Sequence, residues 1–124
     1  VVPVVRNTDQ KTLTHLKDEI QDKAARAKER KLNLDEMQGN TFTISNLGMF
    51  DIEHFTAIIN PPDACILAIG SIQKKAAVKN DSLVISNRMK MTLSCDHRAV
   101  DGASGAKFLQ SLKTILENPI SMLL

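Results

Sequence analysis

The chain contains no tryptophan and no tyrosine, and four phenylalanines are its only aromatic residues among 124. Single-stranded nucleic acid is held on aromatic stacking platforms, so that class of partner is not expected. The charge balance agrees. Sixteen basic and 14 acidic residues leave a net charge of +2, which gives no field to draw the chain to nucleic acid or to an anionic membrane surface. No apolar run approaches the roughly 18 residues that a membrane span needs. Cysteine is scarce too. Cys65 and Cys95 are the only two, each inside an apolar run, ACILAIG and MTLSC. Neither has a second ligand at metal spacing, so two buried thiols of an intracellular protein are expected, not a disulfide or a metal site.

What is present is an ordinary globular composition, 43% hydrophobic and 24% charged, at a length that allows one domain at most. There is no internal repeat and no low-complexity segment. The chain opens on VVPVV, without Met, in the middle of what reads as a first or edge strand. The expectation is the C-terminal portion of something longer.

Asn7, Thr8 and Asp9 are helix-start residues, and Leu13, Leu16, Ile20, Ala24 and Ala27 recur at steps of three and four. That spacing predicts a helix from about residue 9 to residue 31 with an apolar stripe. Its basic end, RAKERK, suits the negative pole of the helix and reads as a solvated terminus. Residues 32–39 read as a connector with at most one helical turn. Thr41–Ser45 alternates as a strand and is broken by Asn46-Leu47-Gly48. Phe55–Asn60 reads as another short strand, closed by Pro61-Pro62. Ala64–Ile72 is nearly all apolar, the pattern of a buried central strand. Lys79-Asn80-Asp81-Ser82 between two β-rich runs predicts a hairpin with Asn-Asp at its tip. Met89–Cys95 is a further strand. After Gly102, Ala103, Ala106, Leu109, Leu112, Ile115 and Leu116 form a helical stripe that Pro119 ends. Runs of strands without alternating helices argue for an α+β fold, a two-layer sandwich of a mixed or antiparallel sheet with helices on one face.

One stretch concentrates chemistry. Residues 94–102, SCDHRAVDG, place His97 and Asp101 between a strand and a helix, where a rigid element positions a side chain and a turn exposes it. Histidine, with an ordinary pKa of about 6.5, transfers protons near neutrality. The bland alternative is also sound: Asp101 as a helix cap, His97 as a turn residue and Arg98 paired locally with Asp96. A third ligand that would make His97 and Asp101 a metal site is not evident.

DHRAVDG resembles the DHRxxDG signature of the acyltransferase core domains of 2-oxo acid dehydrogenase complexes. TFTISNLGMF, IINPPDACILAIG, the ending ENPISMLL and the opening VVPVVRNTDQKTL are similar to further segments of that family, in the same order. The tokens lean toward its pyruvate-type members. Chloramphenicol acetyltransferases share the fold, but they usually carry His where this chain has Asp96. The resemblance implies the chloramphenicol-acetyltransferase-like fold, with residues 1–124 as the C-terminal part of a catalytic domain. It implies transfer of an acetyl group between dihydrolipoamide and coenzyme A by thioester exchange. His97 would be the general base, Ser45 the donor to the thioester oxyanion at the coenzyme A site, and Asp101 a brace that pairs with an Arg from earlier in the domain. Read without the family, Ser45 is an ordinary serine at a strand end. The resemblance also implies no metal and no tightly bound cofactor; acetyl-CoA and the lipoyl group are substrates. Its partners would be a lipoyl domain and the other subunits of the dehydrogenase complex. The assembly would be a homotrimer with the site between subunits, built up into cubic or icosahedral cores through the tail Met122-Leu123-Leu124. The compartment would be the bacterial cytoplasm or the mitochondrial matrix. Three other readings stay open: a non-catalytic assembly subunit of the same fold, an inactive fragment of the enzyme, and a stand-alone acetyltransferase acting on a small molecule.

Overall fold

The computed structural model describes residues 1–123, so Leu124 of the expected tail contact lies outside it. The chain forms two compact units, Val1–Thr41 and Phe42–Leu124.

The first unit carries helix α1, Leu13–Lys28. It starts later than the Asn7–Asp9 signal predicted, because Thr12 is the residue whose hydroxyl accepts the His15 amide, at 3.2 Å. Thr8–Gln10 form only a 3-10 turn. At the other end Arg30 takes a left-handed conformation, φ 57°. The Arg30 amide reaches the Ala27 carbonyl at 3.1 Å and the Lys31 amide the Arg26 carbonyl at 2.8 Å, the two bonds of a Schellman stop. Val1–Val5 is not a strand. Its Val4 amide donates to the Glu36 carbonyl, and a β-branched run with no ladder partner stays merely extended.

The predicted apolar stripe of α1 does not describe its sheltered side. Leu13 and Ile20 are exposed, whereas Glu19, Lys23 and Arg26 are half-buried beside Leu16 and Ala27. Glu19 is gripped by Lys11 and by Lys23, and their hydrogen bonds hold its carboxyl at about 2. Arg26 forks onto both oxygens of Glu36, at 2.8 and 2.6 Å. That fork, with the Asn33 amide, puts Glu36 at about 2 as well. The basic helix end is therefore only partly a solvated terminus. Asn33 and Glu36 form a capping box on the 3-10 turn Leu34–Met37, the one turn expected in the connector.

The second unit is built on a three-stranded sheet of β1 (Thr43–Asn46), β2 (Cys65–Ile69) and β5 (Met91–Cys95), in the order β1-β2-β5. β1 runs parallel to β2, and β5 antiparallel to it. The central strand supplies Ile66, Leu67 and Ala68 to the core, as its unbroken apolar run predicts. The other two strands, β3 (Gln73–Lys79) and β4 (Ser82–Arg88), form a separate hairpin and do not join the sheet. Asn80 and Asp81, with φ of 50° and 60°, make its two-residue tip, the pair of left-handed residues that a type I′ turn needs. The hairpin register sets Val78 opposite Leu83 and Ala76 opposite Ile85. Cross-strand partners share a face, and Val78, Leu83 and Ile85 on this one are all exposed. Residues 55–60 are not a strand; they lead irregularly into a cis Pro61-Pro62 bond. Helix α2, Gly102–Glu117, packs on β5, where Gly105 is buried with its α-carbon face against Cys95 and Leu93. Pro119 ends it in a 3-10 turn, Pro119–Leu123.

Candidate functional site

The turn from β5 into α2 is closed almost entirely by one residue, Asp96. Its amide extends the ladder to the Ala64 carbonyl at 2.7 Å, and its carbonyl accepts the Ala99 and Val100 amides at 2.9 and 3.0 Å. Its carboxylate accepts the Arg98 amide at 3.0 Å and the Arg98 guanidinium at 3.0 and 2.7 Å. The guanidinium and then the amide hold the Asp96 carboxyl at about 2. The local Asp96–Arg98 pair is thus present as the sequence allowed.

His97 stands on this turn, exposed. It borders a groove of about 330 Å³ whose walls include Leu93, Cys95, Val100, Gly105, Ala106 and Leu109. Beside His97 and Asp101 the walls are mostly apolar, an arrangement that seats an aliphatic chain beside a group able to move a proton. Asp101 caps α2, its carboxylate accepting the Ser104 amide at 2.8 Å. Hydrogen bonding from Ser104 keeps its carboxyl below the ordinary range. Among the described residues no arginine pairs with Asp101, so here it is a helix cap. No group of three His, Cys, Asp or Glu side chains among the described residues could hold a metal ion.

Ser45 is in a different place. It is half-buried near the end of β1, in register with Ala68 of β2, which is in register with Thr92 of β5. His97 lies five positions beyond Thr92 and two strands away from Ser45. Sheet alternation puts Ser45, Ala68 and Thr92 on one face and Leu67 and Leu93 on the other; α2 covers the Leu93 face, through Gly105. Ser45 and His97 therefore sit at opposite ends of the sheet, with Ser45 on the side away from α2. One chain does not bring them together.

Two features went unread in the sequence. Cys65 and Cys95 are direct cross-strand neighbours with sulfurs 3.4 Å apart. They are half-buried free thiols, and burial with the neighbouring Cys65 pushes the Cys95 thiol up to about 11. A parity argument on β2 and β5 could have paired them only once the register was known. The other is a wider cleft of about 840 Å³ between the hairpin and the end of α2. In it Glu53 bridges Lys75 and Lys90 at 2.9 and 3.3 Å. Neither Ser45 nor His97 borders it.

A family profile described as 2-oxoacid dehydrogenases acyltransferase (catalytic domain) matches residues 1–124. The chain is 52% identical over 124 residues to the dihydrolipoyllysine-residue acetyltransferase component of the pyruvate dehydrogenase complex of Rickettsia bellii, covering 100% of this chain and 30% of that protein. A structure of Azotobacter vinelandii dihydrolipoamide acetyltransferase, studied for the roles of a serine, a histidine and an asparagine in its catalytic mechanism, superposes with a TM-score of 0.96 at 37% identity, over 100% of this chain and 51% of that one. The cubic core of the pyruvate dehydrogenase multienzyme complex gives a TM-score of 0.96 at 36% identity, with the same coverage. The chain thus spans under a third of that curated relative's length and about half of those solved chains.

Proposed function

Because the chain belongs to the family of 2-oxoacid dehydrogenase acyltransferase catalytic domains, we propose that its parent protein moves an acetyl group between dihydrolipoamide and coenzyme A within a pyruvate dehydrogenase complex. The observation that carries this reading is the placing of His97. It stands on a fixed strand-to-helix turn over a mostly apolar groove that Asp101 also lines. It follows Ser45 by 52 positions and precedes Asp101 by four, the intervals of the serine, histidine and asparagine studied in the Azotobacter relative. Asp101 stands where that protein has asparagine. Both side chains cap a helix well, so the exchange is consistent with a supporting role for this position.

The chemistry is thioester exchange. A thiol with a pKa near 8.5 is only slightly ionised at neutrality, and the thiolate is the nucleophile. His97 takes the proton from the attacking thiol as the new carbon–sulfur bond forms on the thioester carbonyl. The tetrahedral oxyanion is met by the hydroxyl of Ser45. As the intermediate collapses, the old carbon–sulfur bond breaks and the departing thiolate takes the proton back from His97. No electrons leave or enter, and no metal is required. Since Ser45 and His97 of one chain lie at opposite ends of its sheet, Ser45 is supplied by the neighbouring subunit of a trimer. Trimers build the complex core, and a lipoyl domain delivers the acetyl group. Relatives of this kind are bacterial and mitochondrial, and the bacterial cytoplasm or mitochondrial matrix is the proposed compartment.

The test is acetyl transfer from acetyl-CoA to dihydrolipoamide by the full-length parent. A positioned general base contributes about 10²–10⁴-fold, so His97→Ala is expected to lose that much in kcat. An inactive wild type, or a substituted enzyme near the wild-type rate, overturns the proposal.

A further inference from the structure

We infer that Asp96 is a positioning residue for His97, and that it acts by the geometry of its side-chain turn and not by its charge. The inference rests on the acyltransferase reading above. Among the described residues nothing hydrogen-bonds the His97 imidazole, so its place over the groove is set by the backbone that carries it. That backbone is bracketed on both sides. The Asp96 amide is fixed to Ala64, and the Asp96 carbonyl collects the Ala99 and Val100 amides. Those carbonyl bonds enclose His97 together with Arg98 in a backbone turn, and a tighter ring singles out His97. The bond from the Arg98 amide to the Asp96 carboxylate, 3.0 Å, closes a ring that encloses the His97 backbone. This is an Asx turn, which an aspartate or asparagine side chain forms two residues on.

The guanidinium of Arg98 also meets this carboxylate, but its side chain is 91% exposed, and an exposed ion pair contributes little. The amide bond is different, because it constrains the residue that does the chemistry. A misplacement of about 1 Å at a reacting group can lower a rate by 10²-fold. Charge and turn geometry are separable here. Asparagine keeps the acceptor oxygen at the right reach and drops the charge. Glutamate keeps the charge and the pairing with Arg98, but its extra methylene removes the Asx ring.

The experiment is steady-state acetyl transfer by the full-length parent carrying Asp96→Asn or Asp96→Glu, beside wild type and His97→Ala, with thermal midpoints to show that each variant is folded. The expected result is that Asp96→Asn stays within about 3-fold of the wild-type kcat, while Asp96→Glu loses about 10-fold or more with KM for both substrates nearly unchanged. Equal losses in both variants, no loss in either, or the reverse order overturns the inference while leaving the His97 mechanism standing. A wild type without activity, or an active His97→Ala, removes the reading on which it rests. A loss confined to KM also overturns it, since a turn that only shapes the groove would change binding and not the chemical step.

Discussion

If Ser45 and His97 act on one thioester from different chains, two dead variants should repair each other. The hydroxyl and the imidazole must both approach the same tetrahedral centre within hydrogen-bond reach, so they can stand only about 6–7 Å apart in a working site. Within one chain the register makes that impossible. Ser45 is level with Thr92, and the three residues on to Cys95 cover about 10 Å, while two strand spacings add about 9–10 Å across the sheet. His97 lies further along still, and Ser45 faces away from α2. The perturbation is to co-express the full-length parent as Ser45→Ala and His97→Ala chains with different tags. Each parent variant alone should be nearly inactive, since loss of an oxyanion donor costs about 10²–10³ in kcat. In a head-to-tail ring each site takes Ser45 from one chain and His97 from the next. Random mixing leaves about one site in four intact over all rings, and about one in three in trimers that hold both chains, so the mixed assembly should recover roughly a quarter to a third of the wild-type kcat. The assay is acetyl transfer by material purified through both tags. Activity no higher than the two variants alone, in assemblies shown to contain both chains, would refute the division of the site between subunits.

Two further predictions concern the first unit. Glu19 and Glu36 are both held near 2 by their cationic partners, below an ordinary carboxylate value of 4.5. Their contribution to stability is complete above about pH 4.5 and is lost as pH falls toward 2; Glu19→Gln in the full-length parent should flatten the acid limb of a stability–pH curve, and an unchanged limb would contradict the ion-pair account. Arg30→Gly should stabilise by about 1 kcal/mol, because glycine takes the left-handed position of the Schellman stop without the Cβ penalty; a denaturant midpoint that falls would count against that geometry.

The parts of the fold that were legible are those governed by local rules. Asn80-Asp81 can adopt the left-handed tip of a hairpin, and a hairpin formed there. Asp101 ahead of an apolar stripe is a helix cap, and α2 begins one residue later. The nearly all-apolar run at Ala64–Ile72 contains the central strand. The misreadings have two causes. Strand character is a property of pairs, and Val1–Val5 and residues 55–60 have β-rich composition but no ladder. Periodicity gave α1 an apolar stripe, but long cationic stems and paired carboxylates can occupy a sheltered face as well as aliphatic side chains do, and Glu19, Lys23 and Arg26 do so here. In the candidate site, His97 and Asp101 stood out because they share one short motif. Ser45 has no local signature, and its separation from His97 could not be read before the β1–β2–β5 register was known. The Asp96 ring around His97 is a two-residue contact that residue types permit and only coordinates display.

The outward face of the β3–β4 hairpin raises a matter of protein homeostasis. Val78, Leu83 and Ile85 form an uncovered apolar strip on a two-stranded ribbon, and such ribbons recruit other strands when left open. A chain showing this strip carries an aggregation hazard for as long as the strip stays uncovered. The yield of the protein in a cell will therefore depend on how long these three side chains stay open to other strands, as well as on how stable the finished fold is.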